Sequence, residues 1–220
     1  MLSWLSPGFP VGSFSYSHGL EAAAESLAVR DCASLQHWIG AILAHGSGRI
    51  DADILRDAHR AAAADDVAAL TIANRRGVAV RSTAETALET TAQGAAFFAA
   101  CRAAWPDPFL DRWAAVLGEA GAVCYAAAVG AAMARAGIRL ECALTGYLAA
   151  MAANLISAGL RLGIIGHTDG QLILAGLEPV IAAAVPAAMN RGPDCFGSIS
   201  FAVELASMAH ETQYTRLFRS

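Results

Sequence analysis

Six histidines, at 18, 37, 45, 59, 167 and 210, are the side chains best suited to hold a metal ion or move a proton. None forms H-x-x-x-H, and no H-E-x-x-H is present. His210 and Glu211 are neighbours, so on a helix they point to different sides. Spacing therefore offers no metal site, although ligands could converge in space or across subunits. Gly12-Ser13-Phe14-Ser15-Tyr16 is not G-x-S-x-G, and no strand precedes it, which argues against a serine hydrolase. Gly166-His167-Thr168-Asp169-Gly170 reads as a tight turn that caps the next helix. All 15 basic residues are arginine. Without lysine there is no Walker A phosphate loop and no Schiff-base chemistry. Nucleotide hydrolysis, if this protein's biology involves it, belongs to a partner. No catalytic constellation and no cofactor site emerges.

Three places are richer in polar groups than structure alone demands. His18, Glu21 and Glu25 follow one another at spacings of three and four, hence on one helix face. An acidic first turn complementing the helix dipole is the alternative. Asn154, Ser157 and Arg161 repeat at three and four inside an apolar run. Buried polar groups are costly without partners, so they predict either an internal hydrogen-bond cluster or a polar interface. The last place is the C-terminal tail, where Tyr214, Leu217 and Phe218 alternate with Arg216 and Arg219. Termini normally fray, yet these residues are expensive to leave in water, and Tyr and Arg are enriched at interface hot spots. The tail predicts a segment that docks on a partner. The alternative is a tail folded back on its own domain.

The elements that must position these residues are helices. Alanine, the best helix former, accounts for 52 of 220 residues. Charged residues make up 15%. The net charge of −4 argues against a dedicated nucleic-acid binder. Five widely spaced cysteines with no C-x-x-C do not suggest a disulfide framework, and a reducing cytoplasm fits them. The N-terminus has no basic segment before its first proline and does not read as a signal peptide.

The fold class is all-α: one bundle of about nine or ten helices behind an extended lead-in over residues 1–17. Ser15 or Ser17 caps a first helix from about His18 to Ala28. Further helices are predicted at 34–44, from Asp51 or Asp53 to Ala64, from Asp65-Asp66 to Arg76, and at 83–104. Gly46-Ser47-Gly48 separates the second from the third. After the break at Trp105-Pro106-Asp107-Pro108, long helices are expected at 109–135, 139–162, 168–189 and 198–212. Cys142–Leu160 is a charge-free run of 19 residues, near the length of a membrane span. Its alanine, Thr145, Asn154 and Ser157 favour a central helix of a soluble core over an integral membrane protein.

Three motifs then resemble one family. Phe9-Pro10, Gly12, Phe14, Ser17 and Gly19-Leu20-Glu21 follow the F-P-x-G-x-F-x-x-S-x-G-L-E lead of urease accessory protein F, UreF. Asn154–Arg161 with Thr168–Gln171 is similar to its central helix and following turn. Ser207–Ser220 is similar to its terminal signature. Ile164-Ile165-Gly166-His167 departs from the family's Pro-Leu-Gly-Gln, and residues 50–140 add little. The resemblance implies a non-catalytic chaperone of urease maturation. It would bind UreD (UreH), through that complex the GTPase UreG, and serve nickel insertion into apo-urease, as a homodimer in the assembled complex. By motif match, His210, Glu211, Gln213, Tyr214, Arg216, Leu217 and Phe218 would dock on UreD, folding on contact. His18, Glu21, Glu25, Asn154 and Arg161 would lie at the dimer or GTPase surface. No metal, cofactor, nucleic acid or membrane is implied. The runner-up is a helical hydrolase or ligand-binding enzyme using His and Glu from separate helices.

Overall fold

A computed structural model describes every residue except Leu2 and Ala120. Ten α-helices and no strand occur among the described residues: α1 Leu20–Glu25, α2 Cys32–His45, α3 Ser47–Ala63, α4 Val67–Ala79, α5 Ala84–Ala104, α6 Pro108–Leu117, α7 Tyr125–Arg135, α8 Leu140–Arg161, α9 His167–Asn190 and α10 Phe201–His210. Several start where a local cap dictates. Asp66 accepts from the Ala69 amide at 2.9 Å. Thr83 accepts from the Thr86 amide at 3.2 Å. Asp107 accepts from Phe109 and Leu110, with Pro108 at the first helical position.

α3 is the central element. It packs on α7, α4, α2, α8 and α9, and buries residues on every side. The alanine-rich α7 lies so close to it that a Cβ on Gly130 would sit 2.5 Å from the Leu55 carbonyl oxygen. Small side chains thus serve close helix packing here. One hydrophobic core runs from Trp4 through Phe97, Phe109 and Trp113 to Phe218. By length and composition both α8 and α9 could cross a membrane. In the fold α8 packs against α9, α3, α2 and α7, as a central helix should, and half of its most apolar window is buried.

Four local expectations are corrected. The lead-in is not simply extended: it turns repeatedly and forms a short 3-10 helix over Ser13–Ser15. The first helix begins at Leu20, after His18 (φ 54°) and Gly19 (φ 74°), and ends at Glu25. Gly19 tolerates no Cβ, which would meet the Ser207 amide at 2.6 Å. α3 starts at Ser47, so Gly48 lies inside a helix and the predicted break shrinks to Gly46. The expected helix at 109–135 is two helices. α6 stops at Gly118 (φ 69°), and the entry to α7 is held by Asn74 of α4. The Asn74 amide donates to Ala122 O at 2.9 Å, and its carbonyl accepts from the Cys124 amide at 2.7 Å. A buried side chain replaces the helical hydrogen bonds there.

Candidate functional site

Six of the predicted residues meet where α1, α5, α10 and the tail converge. Gly19 lets α1 approach α10, and the first turn of α1 aims Glu21 inward, 8% exposed. Its carboxylate accepts from the backbone amides of Leu217 (2.7 Å) and Phe218 (2.9 Å). His210, fully buried at the end of α10, places Nε2 3.2 Å from Glu21 Oε2 and Nδ1 2.7 Å from Glu85 Oε2 on α5. Arg216 donates to Glu85 Oε1 at 2.8 Å. Glu211 accepts from the Ala84 amide at 2.8 Å.

A second polar group continues from the first. Ser17 donates through both its amide and its hydroxyl to the Ser220 carbonyl. The Ser220 hydroxyl donates to Glu89 Oε2 at 3.0 Å. Glu89 Oε1 is paired with His18 Nε2 at 3.1 Å and accepts from Gln93 at 2.9 Å. Burial opposes a charge on His18, but the carboxylate of Glu89, helped by Asp51, outweighs burial and nearby Arg81, so the pKa is raised. Beyond this pair opens a cavity of about 250 Å³, lined among others by Asp51, Arg81, Tyr147 and Asn154. Arg81 is paired with Asp51 at 2.8 Å, and the Tyr147 hydroxyl donates to Asp51 at 2.8 Å. Burial, then the neighbouring Asp51, pushes the Tyr147 phenol well above its ordinary range.

The tail is therefore not a free segment. It is folded back on its own domain, with Phe218 buried under the guanidinium of Arg161, 4.3 Å from the ring centre. Tyr214 is fully exposed, and Leu217 is 61% exposed. Glu25, the last residue of α1 and one turn on from Glu21, is exposed, and His18 lies before the helix begins. His18 and Glu21 face inward, while Arg161 is exposed and Asn154 lines the cavity. Glu85 and Glu89 went unnoticed in the sequence, and Asp51 was expected only to open a helix, whereas it lies buried inside α3. Each is an isolated carboxylate, and only the partners brought to it across the fold distinguish it.

None of this is a catalytic arrangement. The buried carboxylates are engaged with tail amides, imidazoles or arginine; the Ser47 hydroxyl lies 3.4 Å from His18 Nδ1, a long contact that satisfies the imidazole paired with Glu89. Among the described residues no group of His, Cys, Asp or Glu is arranged to hold a metal ion. A model of the UreF family matches residues 29–178. The chain belongs to the UreF family of urease accessory proteins. It is 48% identical over its whole length to the urease accessory protein UreF of Rhodopseudomonas palustris (strain BisB5), covering 90% of that protein. It is 46% identical to those of Bradyrhizobium sp. (strain ORS 278) and Azorhizobium caulinodans, covering 90% and 94% of them. Its role lies in urease maturation, as an accessory protein rather than an enzyme.

Proposed function

We propose that this chain docks on UreD (UreH) through its tail and the neighbouring face of α10. Through that complex it engages the GTPase UreG during nickel insertion into apo-urease, as a cytoplasmic homodimer. The carrying observation is an apolar strip left in water. Phe201, Leu205 and Met208 share one face of α10 at spacings of four and three, and all are exposed. Tyr214 and Leu217 extend the apolar exposure onto the tail. Exposed apolar patches of this kind mark interaction sites. The docking segment is already ordered, so binding does not carry the full entropy cost of folding on contact. Of the residues assigned to a dimer or GTPase surface, Glu25 and Arg161 remain open to a partner.

The test is co-purification with UreD and UreG from the same organism, read by size exclusion with light scattering. Leu205→Asp combined with Leu217→Asp is expected to abolish the UreD complex while far-UV helicity is kept. An undiminished complex would remove the docking assignment.

A further inference from the structure

In the network that holds the tail, the hydrogen bonds of His210 cannot be balanced without counting protons. Both of its ring nitrogens face carboxylate oxygens, Glu85 Oε2 at 2.7 Å and Glu21 Oε2 at 3.2 Å. A neutral imidazole has one N–H and one lone pair. With both carboxylates ionised, a neutral His210 would set its lone pair against an oxygen lone pair in a fully buried site. The trio therefore needs one further proton. That proton satisfies the geometry equally on the imidazole or on either carboxylate. His18 differs. Its Nε2 faces Glu89 at 3.1 Å, but its Nδ1 faces the Ser47 hydroxyl at 3.4 Å, which can donate. Neutral His18 satisfies both contacts.

We propose that the tail is held by a one-proton clasp, closed when the Glu21–His210–Glu85 trio carries that proton and opened when it leaves. The reason is that both carboxylates hold the tail. Glu21 takes the Leu217 and Phe218 amides, and Glu85 takes Arg216. Losing the proton drives one carboxylate off His210 and disturbs the tail contacts it makes. The charged groups facing the trio are Glu21 from α1, Glu85 from α5, Arg216 from the tail and Glu211 at the end of α10. Arg161 of α8 lies over Phe218, and the His18–Glu89 pair lies one step beyond, at Ser220. Alkaline pH thereby loosens the stretch that carries Tyr214 and Leu217, while Ser15, Ser17 and Glu89 still hold Arg219 and Ser220.

The experiment is hydrogen exchange of residues 211–220 in the full chain from about pH 6 to about pH 9, corrected by a peptide of the same sequence. The opening equilibrium is expected to rise about tenfold per pH unit above the transition, the slope of one released proton. Glu85→Gln supplies the discriminating control. Its amide N–H₂ can donate to the lone pair of neutral His210, while its oxygen still accepts from Arg216. The tail should then stay protected and lose the slope, although His18 and Glu89 are untouched. Should that variant fail to fold, Glu21→Gln provides the second readout. Its side-chain amide can donate to the lone pair of neutral His210 while its oxygen still accepts from the Leu217 amide, and its tail should exchange without the slope. A wild-type tail whose opening ignores pH overturns the clasp. So does a Glu85→Gln or Glu21→Gln tail that keeps the wild-type slope.

Discussion

Replacing Glu21 by alanine removes the acceptor of two tail amides and the contact with the His210 imidazole at once. Hydrogen bonds to a charged group contribute about 1.5–3 kcal/mol each. The two amide bonds alone therefore hold the tail by about 3–6 kcal/mol. The protein as a whole will not lose all of this. Once the clasp is gone the tail can detach, and the orphaned amides find water instead of staying buried. Detachment limits the loss of global stability but shows fully in local opening. At about 1.4 kcal/mol per factor of ten, the Leu217 and Phe218 amides should exchange roughly 10²–10⁴ times faster. Amides of α3, which touch none of these groups, should shift far less. The assay is residue-resolved hydrogen exchange at fixed pH, with thermal unfolding alongside. If Leu217 and Phe218 stay as slow in Glu21→Ala as in the wild type, the carboxylate does not hold the tail and the reasoning fails.

Other consequences can be checked separately. Gly130→Ala would force a Cβ to within 2.5 Å of Leu55 O, so α3 and α7 must part. A net loss of about 1–3 kcal/mol is expected even after alanine's better helix propensity, and an unchanged urea midpoint would contradict it. His18 has a folded pKa raised by Glu89 and Asp51 against burial and Arg81. Its contribution to stability is fully present below the unfolded value of about 6.5 and is lost as pH rises through the folded value. Urea midpoints against pH should show this loss in the wild type and not in His18→Gln. Arg216→Ala removes a half-exposed ion pair with Glu85 and should cost no more than about 1 kcal/mol. A large fall in melting temperature for that variant would mean that Arg216 does more than close the tail.

The amino-acid sequence by itself determined the helical class and most helix boundaries. Helix signals act over three or four residues: Asp66 and Thr83 cap helices whose first amides lie within that reach. The charge-free run ending at Arg161 could only be buried or membrane-spanning, and the alanine content favoured burial. The three motifs were legible too, because short patterns survive without coordinates. Tertiary structure alone decided what those motifs do. Glu21 meets Leu217 across 196 residues, and His210 meets Glu85 across 125. No spacing rule couples such positions. The split of the 109–135 segment had the same origin, since Asn74 supplies its hydrogen bonds from 48 residues away. The tail's residue types fitted two fates, outward docking or folding back. Its side chains report that it must be covered, but what covers it depends on which buried carboxylates the fold brings within hydrogen-bond reach.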